Sequence, residues 1–436
     1  MFAILVLCFV ALAAAQQPQP CTSPPQWEAN IFDYNQQQKF MVRGRLSYDA
    51  VYRRERIIEE VNFGSQGDAF DVIALFDSQT EYIYDFKARN CSRRRIERPW
   101  RDFGIPQGAR SFGEAYIGSS AAPGLGLLVT LWGGNHTTPS NDTVRTFGTW
   151  TYQACIPVRF ISHSERFGRT ETSFFDVTAG ISDPNVFIPR RECLTEKEYA
   201  MRDILFVKVS DNNVDQTPLN DKMLAALLLC LVGIAVAQRP QPCTAPPQWE
   251  GRIFDINEQQ KFSVEGKLSY DAVYHRERII DEIDEGSTSD YYDVLSLFDS
   301  RVEFVYNFKA RNCTRREIQR PWRDFGIRPT DQSYGEAYIG SSVFPDTGVL
   351  VTIWAGNFTL PSNDTIDYVS TWTYKGCLPV SRTTYSDKFG SSHLSFYDIT
   401  IGISDPNVFI PRRECVSAEE WENRYALFDV PHKKIH

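Results

Sequence analysis

Histidine is the first residue type to test for chemistry, because imidazole is the usual general base and metal ligand near neutral pH. The chain carries His136, His163, His275 and His393 in its body and His432 and His436 in its last residues. The chain also repeats itself. At the matching positions of the other copy stand Phe358, Tyr385, Arg53 and Glu171. Chemistry common to both copies therefore does not use a histidine. No G-x-S-x-G elbow, H-E-x-x-H or C-x-x-C is present. "RDFG" at 101–104 and 323–326 looks like the magnesium-binding triplet of kinases, but the other kinase motifs are missing and the match reads as chance. "PGLG" at 123–126 becomes "PDTG" at 345–348, which removes a phosphate loop. The sequence reads as a non-enzyme.

The repeat is set by cysteine. Cys21, Cys91, Cys155 and Cys193 recur as Cys243, Cys313, Cys377 and Cys415, each shifted by 222 positions, and more than half of the positions from Gln17 to Cys193 are identical at that shift. Ahead of each set lies an apolar run with an A-x-A ending: Phe2 to Ala15 before Gln16, and the run after Met223 ending Ala235-Val236-Ala237 before Gln238. Both runs are shorter than the roughly 20 apolar residues of a membrane span, and both have the grammar of a secretory signal peptide. The expected organisation is a signal peptide at 1–15, module 1 at 16–222, an internal signal-like segment at 223–237 and module 2 at 238–436. One mature tandem, a processed precursor and two joined genes all fit this pattern. Four cysteines behind a signal peptide imply a disulfide framework, with three connectivities open, in a secreted extracellular module.

Sequons agree with that compartment. Asn135, Asn141, Asn357 and Asn363 are acceptor candidates in loop-like segments. A net charge of −9 gives no support to a nucleic-acid partner.

Period-two runs dominate within a module. "EYIYDF" (81–86) puts Tyr82, Tyr84 and Phe86 on one face, and "EFVYNF" repeats this with Phe304, Tyr306 and Phe308. "FDVIALFD", "LLVTLW", "TWTY" and "SFFDVTAGI" also read as strands, and helical pattern appears mainly after the last cysteine of each module. The fold class is mostly antiparallel β with a short C-terminal helix. Aromatics on several strand faces either pack two sheets together or wall an apolar cavity. The run "KARNCSRRRIERPWR" and its repeat are either a solvated basic loop or a contact for anionic headgroups or glycans. Asp176, Asp183 and Asn185 are either calcium ligands or, more economically, a turn that caps its own backbone.

"FFDVTAGISDPNVFIPRREC", "PCTSPPQWEA", "LSYDAVYRRERIIEE" and "RPWRDFGIP" together resemble the ependymin family, in order and over nearly all of each module. The resemblance implies two antiparallel sheets curved into a half-barrel around an apolar pocket, similar to bacterial lipoprotein carriers. It implies Cys21–Cys155 with Cys91–Cys193, and Cys243–Cys377 with Cys313–Cys415. It further implies secreted glycoproteins that bind calcium, dimerise, hold lipid and take part in cell–matrix adhesion.

The expected function is non-catalytic binding of a lipid or other amphipathic apolar ligand. Its pocket would be Tyr82, Tyr84, Phe86, Trp132, Trp150 and Phe174, with Phe304, Tyr306, Phe308, Trp354, Trp372 and Phe396 in module 2. Arg93, Arg98, Arg315 and Arg320 would meet headgroups, and Asp176, Asp183, Asp398 and Asp405 would hold calcium. The competing expectation is a calcium-modulated adhesive glycoprotein acting as a homodimer on extracellular matrix or an anionic membrane surface.

Overall fold

Strict alternation of side chains lets one strand serve two packed layers, and this chain uses both faces of nearly every strand. The computed structural model describes residues 18–428 except 36–39, 64–65, 138–141, 165, 167, 203–239, 258–261, 285–288, 344–345, 361, 387 and 389. Both signal-like segments and Asn141 lie outside the described residues. Among those described, no helix is long and apolar enough to cross a membrane.

Module 1 has eleven strands: β1 (Gln26–Asn35), β2 (Phe40–Asp49), β3 (Arg54–Phe63), β4 (Gln66–Leu75), β5 (Thr80–Asp85), β6 (Asn90–Arg95), β7 (Arg110–Gly118), β8 (Gly126–Thr137), β9 (Thr143–Thr151), β10 (Pro157–Ser164) and β11 (Gly168–Ala179). They pair antiparallel in the order β6-β5-β4-β3-β2-β1-β11-β10-β9-β8-β7. Two short 3-10 turns (Pro184–Phe187 and Arg191–Cys193) and a short helix (Glu196–Ala200) follow. Module 2 repeats the plan from β12 (Gln248–Asn257) to β22 (Gly390–Ile401), with β18 at Gln332–Gly340. The disulfides are Cys21–Cys155, Cys91–Cys193, Cys243–Cys377 and Cys313–Cys415, as the resemblance implies. Each bridges 134 or 102 residues, worth on the order of 4–5 kcal/mol in the chain-entropy account.

Within a module, Trp27, Leu46 and Tyr48 of the first six strands face Phe174 and Val177 of the last five. The opposite face of β7–β11 is also apolar, through Ala115, Ile117, Leu127, Val129 and Val158. The second module covers it. Phe175 of β11 pairs with Ile339 of β18, and Tyr397 of β22 pairs with Ile117 of β7. Five strands from each module thus close a ten-strand antiparallel barrel, whose core joins those side chains to Ile339, Val349, Val351, Val380 and Tyr397. Closure leaves β7, β11, β18 and β22 without free edges.

Polar groups lie at the middle of this shared barrel. The guanidinium of Arg159 donates to Glu171 of its own module and, from Nη1, to Ser395 Oγ at 3.0 Å in the other. Its Nη2 lies 2.7 Å from His393 Nδ1, which assigns that nitrogen as the acceptor and leaves Nε2–H to donate to Ser395 Oγ at 3.0 Å. Arg169 Nη2 reaches the other Glu171 oxygen at 3.3 Å. Burial drives His393 well below its ordinary value, Arg159 adds to this, and Glu171 opposes it. Burial works to raise Glu171, but Arg159, His393 and Arg169 together hold it down at about 2.

Both groups bind protons less readily folded than unfolded, so the unfolded chain takes them up first and stability rises with pH. The contribution of this pair is expected to be full above about pH 6.5 and to fall below it by up to roughly 1.4 kcal/mol per unit from His393, with Glu171 adding a second loss below about pH 4.5. The difference in thermal unfolding between the chain and His393→Gln from about pH 7.5 to 5 should show this slope, since carboxyls whose pKa is raised on folding shift both alike. An equal slope in the variant would place the acid sensitivity elsewhere.

Candidate functional site

The inner face of each module is built row by row from strand register. Trp27 pairs with Tyr48, Ala29 with Leu46 and Ile31 with Gly44 across β1 and β2. Trp27 contacts Tyr48, Phe103 and Phe174 at ring-centroid distances of 5.2, 5.4 and 6.0 Å, and Tyr48 stacks on Trp100 at 5.3 Å. The Tyr48 hydroxyl accepts the Phe103 amide at 2.8 Å, and burial pushes its pKa up to about 12. Trp132 and Trp150 lie beside Ile105 and the Cys21–Cys155 bridge. Gly148 leaves the room that the Trp150 ring fills, since a Cβ there would come within 2.1 Å of it. Trp249, Tyr270, Phe325 and Phe396 repeat the first cluster, and Trp354 and Trp372 the second. Trp132, Trp150, Phe174 and their three counterparts therefore belong to the inner face, packed within these clusters.

Beyond the rings the inner face is less covered. Ile57 pairs with Val72 and Val72 with Ile83, a single row in which all three stay half-buried. The neighbouring row runs Ile31, Gly44, Glu59 and Phe70. In module 2 the same rows are Ile279–Val294–Val305 and Ile253–Gly266–Asp281–Tyr292. Burial raises the Glu59 pKa, and burial, with Asp293 adding to it, pushes Asp281 up to about 6. Asp281 Oδ1 is buried, with no hydrogen-bond partner among the described residues. Histidine comparison overlooked these acids; the available signal was "RIIEE" against "RIIDE", an acid kept at an inward strand position of both copies.

Tyr82, Tyr84 and Phe86 are placed elsewhere, and so are Phe304, Tyr306 and Phe308. They lie on the outer face, under the C-terminal segment. Tyr82 packs with Ile188, Leu194 and the Cys91–Cys193 bridge, and the Arg190 guanidinium covers Tyr84 and Phe86 at 4.9 and 4.5 Å. Phe304 packs on Phe409, and Arg412 covers Tyr306 and Phe308. Alternation tells which side chains share a face. It does not tell which face is inner when both are covered. Holding this segment down is Asp71, which accepts two bonds from Arg56 (2.8 and 2.6 Å) and one from Arg190 (2.7 Å); Arg56 also donates to the Val186 carbonyl at 2.5 Å. Phe187 is fully buried beneath Arg54, and Glu28 accepts the Ser182 amide at 3.1 Å. Asp293, Arg278 and Arg412 repeat the latch. The stretch Ile181–Cys193, identical in its repeat, is this latch.

The nominated headgroup arginines are exposed and ion-paired: Arg93 with Glu198 (3.0 Å), Arg98 with Glu55 (3.1 Å), Arg315 with Glu420 (3.1 Å) and Arg320 with Glu277. Arg93 belongs to β6, the free edge of the sheet, where exposed cations discourage edge-to-edge pairing.

The nominated calcium carboxylates do not converge. Asp183 and Asp405 cap 3-10 turns by accepting the Asn185 and Asn407 amides. Asp176 and Asp398 sit at strand irregularities with φ of 53° and 52°, and each reaches into the other module to accept the Tyr338 or Tyr116 amide at 2.8 Å. The second oxygen of Asp176 accepts from Asn30, and that of Asp398 from Arg252. Among the described residues no three His, Cys, Asp or Glu side chains group as a metal site. These residues do not fit a calcium cage.

Module 2 has an interior feature that module 1 lacks. Tyr368 donates to Asp331 at 2.7 Å, Arg328 pairs with Asp331, and the largely buried Arg382 guanidinium lies over the Tyr368 and Phe325 rings at 5.1 and 5.9 Å. Burial lowers the Arg382 pKa. Module 1 has Pro106, Ala109, Thr146 and Phe160 at these positions.

A sequence model of the Ependymin family matches residues 64–193 and again 286–415. Mammalian ependymin-related protein 1 of Rattus norvegicus is 30% identical over 195 residues, covering 44% of this chain and 84% of that protein. Ependymin-2 of Carassius auratus is 28% identical over 214 residues, covering 48% and 98%. Among solved structures, an uncharacterized conserved protein from Thermus thermophilus aligns over 39% of this chain and 88% of its own at 8% identity with a TM-score of 0.26.

The latch makes a quantitative expectation. Asp71→Asn leaves Arg56 and Arg190 without their buried anion, and should cost about 3–5 kcal/mol in denaturant unfolding of the full chain. Asp183→Asn, which alters only an exposed turn cap, should cost under about 1 kcal/mol. Equal losses would show that the latch does not hold the segment.

Proposed function

The chain belongs to the ependymin family in both of its halves, and from that premise we propose that each module is a secreted, non-catalytic binder of an amphipathic apolar ligand, lipid being the chemistry that fits. The observation carrying this reading is the half-buried row Ile57–Val72–Ile83 beside the half-buried carboxyl of Glu59, repeated as Ile279–Val294–Val305 beside Asp281. Apolar side chains left partly uncovered on an inward face are surface that a ligand tail would cover. At roughly 25 cal/mol per Å², one acyl chain supplies several kcal/mol, enough for about micromolar affinity after entropic costs. The carboxyl, with its proton held tighter than usual, can exchange a hydrogen bond with the ligand's polar end. In module 2, Arg382 adds a cation to the same interior.

The four disulfides support an oxidising compartment, and Asn135, Asn357 and Asn363 are exposed, as glycan acceptors must be. The calcium-modulated adhesive reading ranks second, because its nominated carboxylates are committed to caps and to contacts between modules. Sedimentation of the secreted chain should accordingly be unchanged by chelator, and a calcium-dependent rise in mass would promote that reading.

A fluorescent fatty-acid probe should bind the delipidated chain, and Val72→Glu with Val294→Glu should weaken it about tenfold or more, since a charge would then face the tail. Val51→Glu, at an exposed turn, should change nothing. Native mass spectrometry of the secreted chain should show a lipid adduct. A chain without adduct or probe binding would end this proposal.

A further inference from the structure

We propose that the two modules are specific partners for one another: the buried cluster at the middle of their shared barrel fits an unlike pair and disfavours either like pair.

The modules are related by a pseudo-twofold axis. The pairs Phe175–Ile339 and Tyr397–Ile117 interchange when each residue is replaced by its counterpart in the repeat. The same exchange turns Asp176 on the Tyr338 amide into Asp398 on the Tyr116 amide. These contacts are shared, so they hold two modules together without choosing which. Glu171 and His393 are themselves counterparts, and they approach one another at 3.3 Å, which puts them on the axis. A residue on a twofold axis meets its own copy in a like pair. Choice is therefore made at this position.

Module 1 supplies Arg159, Arg169 and Glu171 to the axis, and module 2 supplies Ser381, Ser391 and His393 at the same places. In the unlike pair the Glu171 carboxylate is ringed by two guanidiniums, and Arg159 spends its remaining donors on His393 and Ser395. All of these are buried: Arg159, Arg169, Glu171 and His393 have side chains at most 11% exposed, and Ser395 is 3% exposed. A like pair of module 1 would bring two Glu171 carboxylates face to face and crowd both copies of Arg159 and Arg169 around them, with no imidazole to accept from Arg159. Buried like charges of this kind cost several kcal/mol. A like pair of module 2 would carry no such charge, but it would lose more filling. Ser381 replaces Arg159 beside a cavity that is already about 50 Å³, and the Phe147–Phe254 stack at 5.4 Å would lose its first ring to Val369. The unlike pair has neither the facing carboxylates nor the doubled loss of filling. It would persist whether the halves stay in one chain or are separated after folding.

The test uses the full chain with a protease site inserted between residues 203 and 239. The folded protein is cleaved, unfolded in urea with its disulfides intact, refolded by dilution, and weighed by native mass spectrometry, where the halves differ in mass. The ratio of unlike to like pairs should rise about tenfold or more above the 1:1 of a random 1:2:1 distribution. A random distribution, or halves that remain single, overturns the proposal. Arg159→Ser, Arg169→Ser and Glu171→His together give module 1 the axis residues of module 2, and most of the selectivity should then disappear while the disulfides and the cooperative thermal unfolding of the uncleaved chain persist. If that variant still forms unlike pairs alone, the axis residues do not make the choice.

Discussion

A β-sheet has two faces, and in this chain both faces are apolar across most of its width. Everything else in the architecture answers that constraint. Leu127, Val129 and Leu131 alternate along β8 with Trp132, so one strand feeds the shared barrel on one side and the module interior on the other. The first six strands have the same problem and solve it within the module. Their outer face, carrying Ile73 and Tyr82, is roofed by the segment that ends at Cys193. No comparable roof exists for β7–β11 among the described residues. The second module covers them, and without it the fully buried Val129 and Leu127 would meet water.

The covers are fastened by different physics. The C-terminal roof depends on charge taken out of water: Asp71 between Arg56 and Arg190, and Arg54 against Asp49 at 2.8 Å with both side chains almost fully buried. Such pairs are costly to desolvate and costlier to break, so they define one position for the segment rather than adding much net stability. The barrel is fastened mainly by apolar packing, with Asp176 and Asp398 as staples. Their left-handed backbone costs on the order of 1–3 kcal/mol, and it is kept because it turns a strand carboxylate toward an amide of the neighbouring module. A carboxylate in that position looked like a cation ligand in the sequence. Its partner is instead a backbone N–H that no linear motif displays.

Legibility followed the range of the interaction. The repeat, the strands and the single-face grouping of Tyr82, Tyr84 and Phe86 are local properties of period and spacing, and they stand in the structure as read. The disulfide pairing came from resemblance, since four cysteines alone leave three choices. The assignment of faces was not legible, because alternation is symmetric under exchange of inside and outside, and only the latch residues 181–193 decide it here. Glu59 and Asp281 were missed for a related reason. An acid in a half-polar strand reads as solvent-facing until register places Gly44 or Gly266 across from it on the inner side. The barrel was beyond reach, since its closing contacts join strands of different modules, Phe175 to Ile339 and Tyr397 to Ile117.

The two copies have kept and lost identity in places that differ in physical role. The latch is identical in the two modules, and each module uses it to roof its own sheet. The axis positions, by contrast, meet across the pair, so a change in one module can be answered by a complementary change in the other. Arg159 against Ser381 and Glu171 against His393 are changes of that kind. The interior has diverged as well, with Phe160 of module 1 standing where module 2 carries Arg382 over aromatic rings. A second copy that only thickened the molecule would have no reason to differ at its seam and in its interior while keeping its roof intact. Divergence at the seam and in the interior is what the proposed pairing of unlike modules, each with its own ligand, would produce.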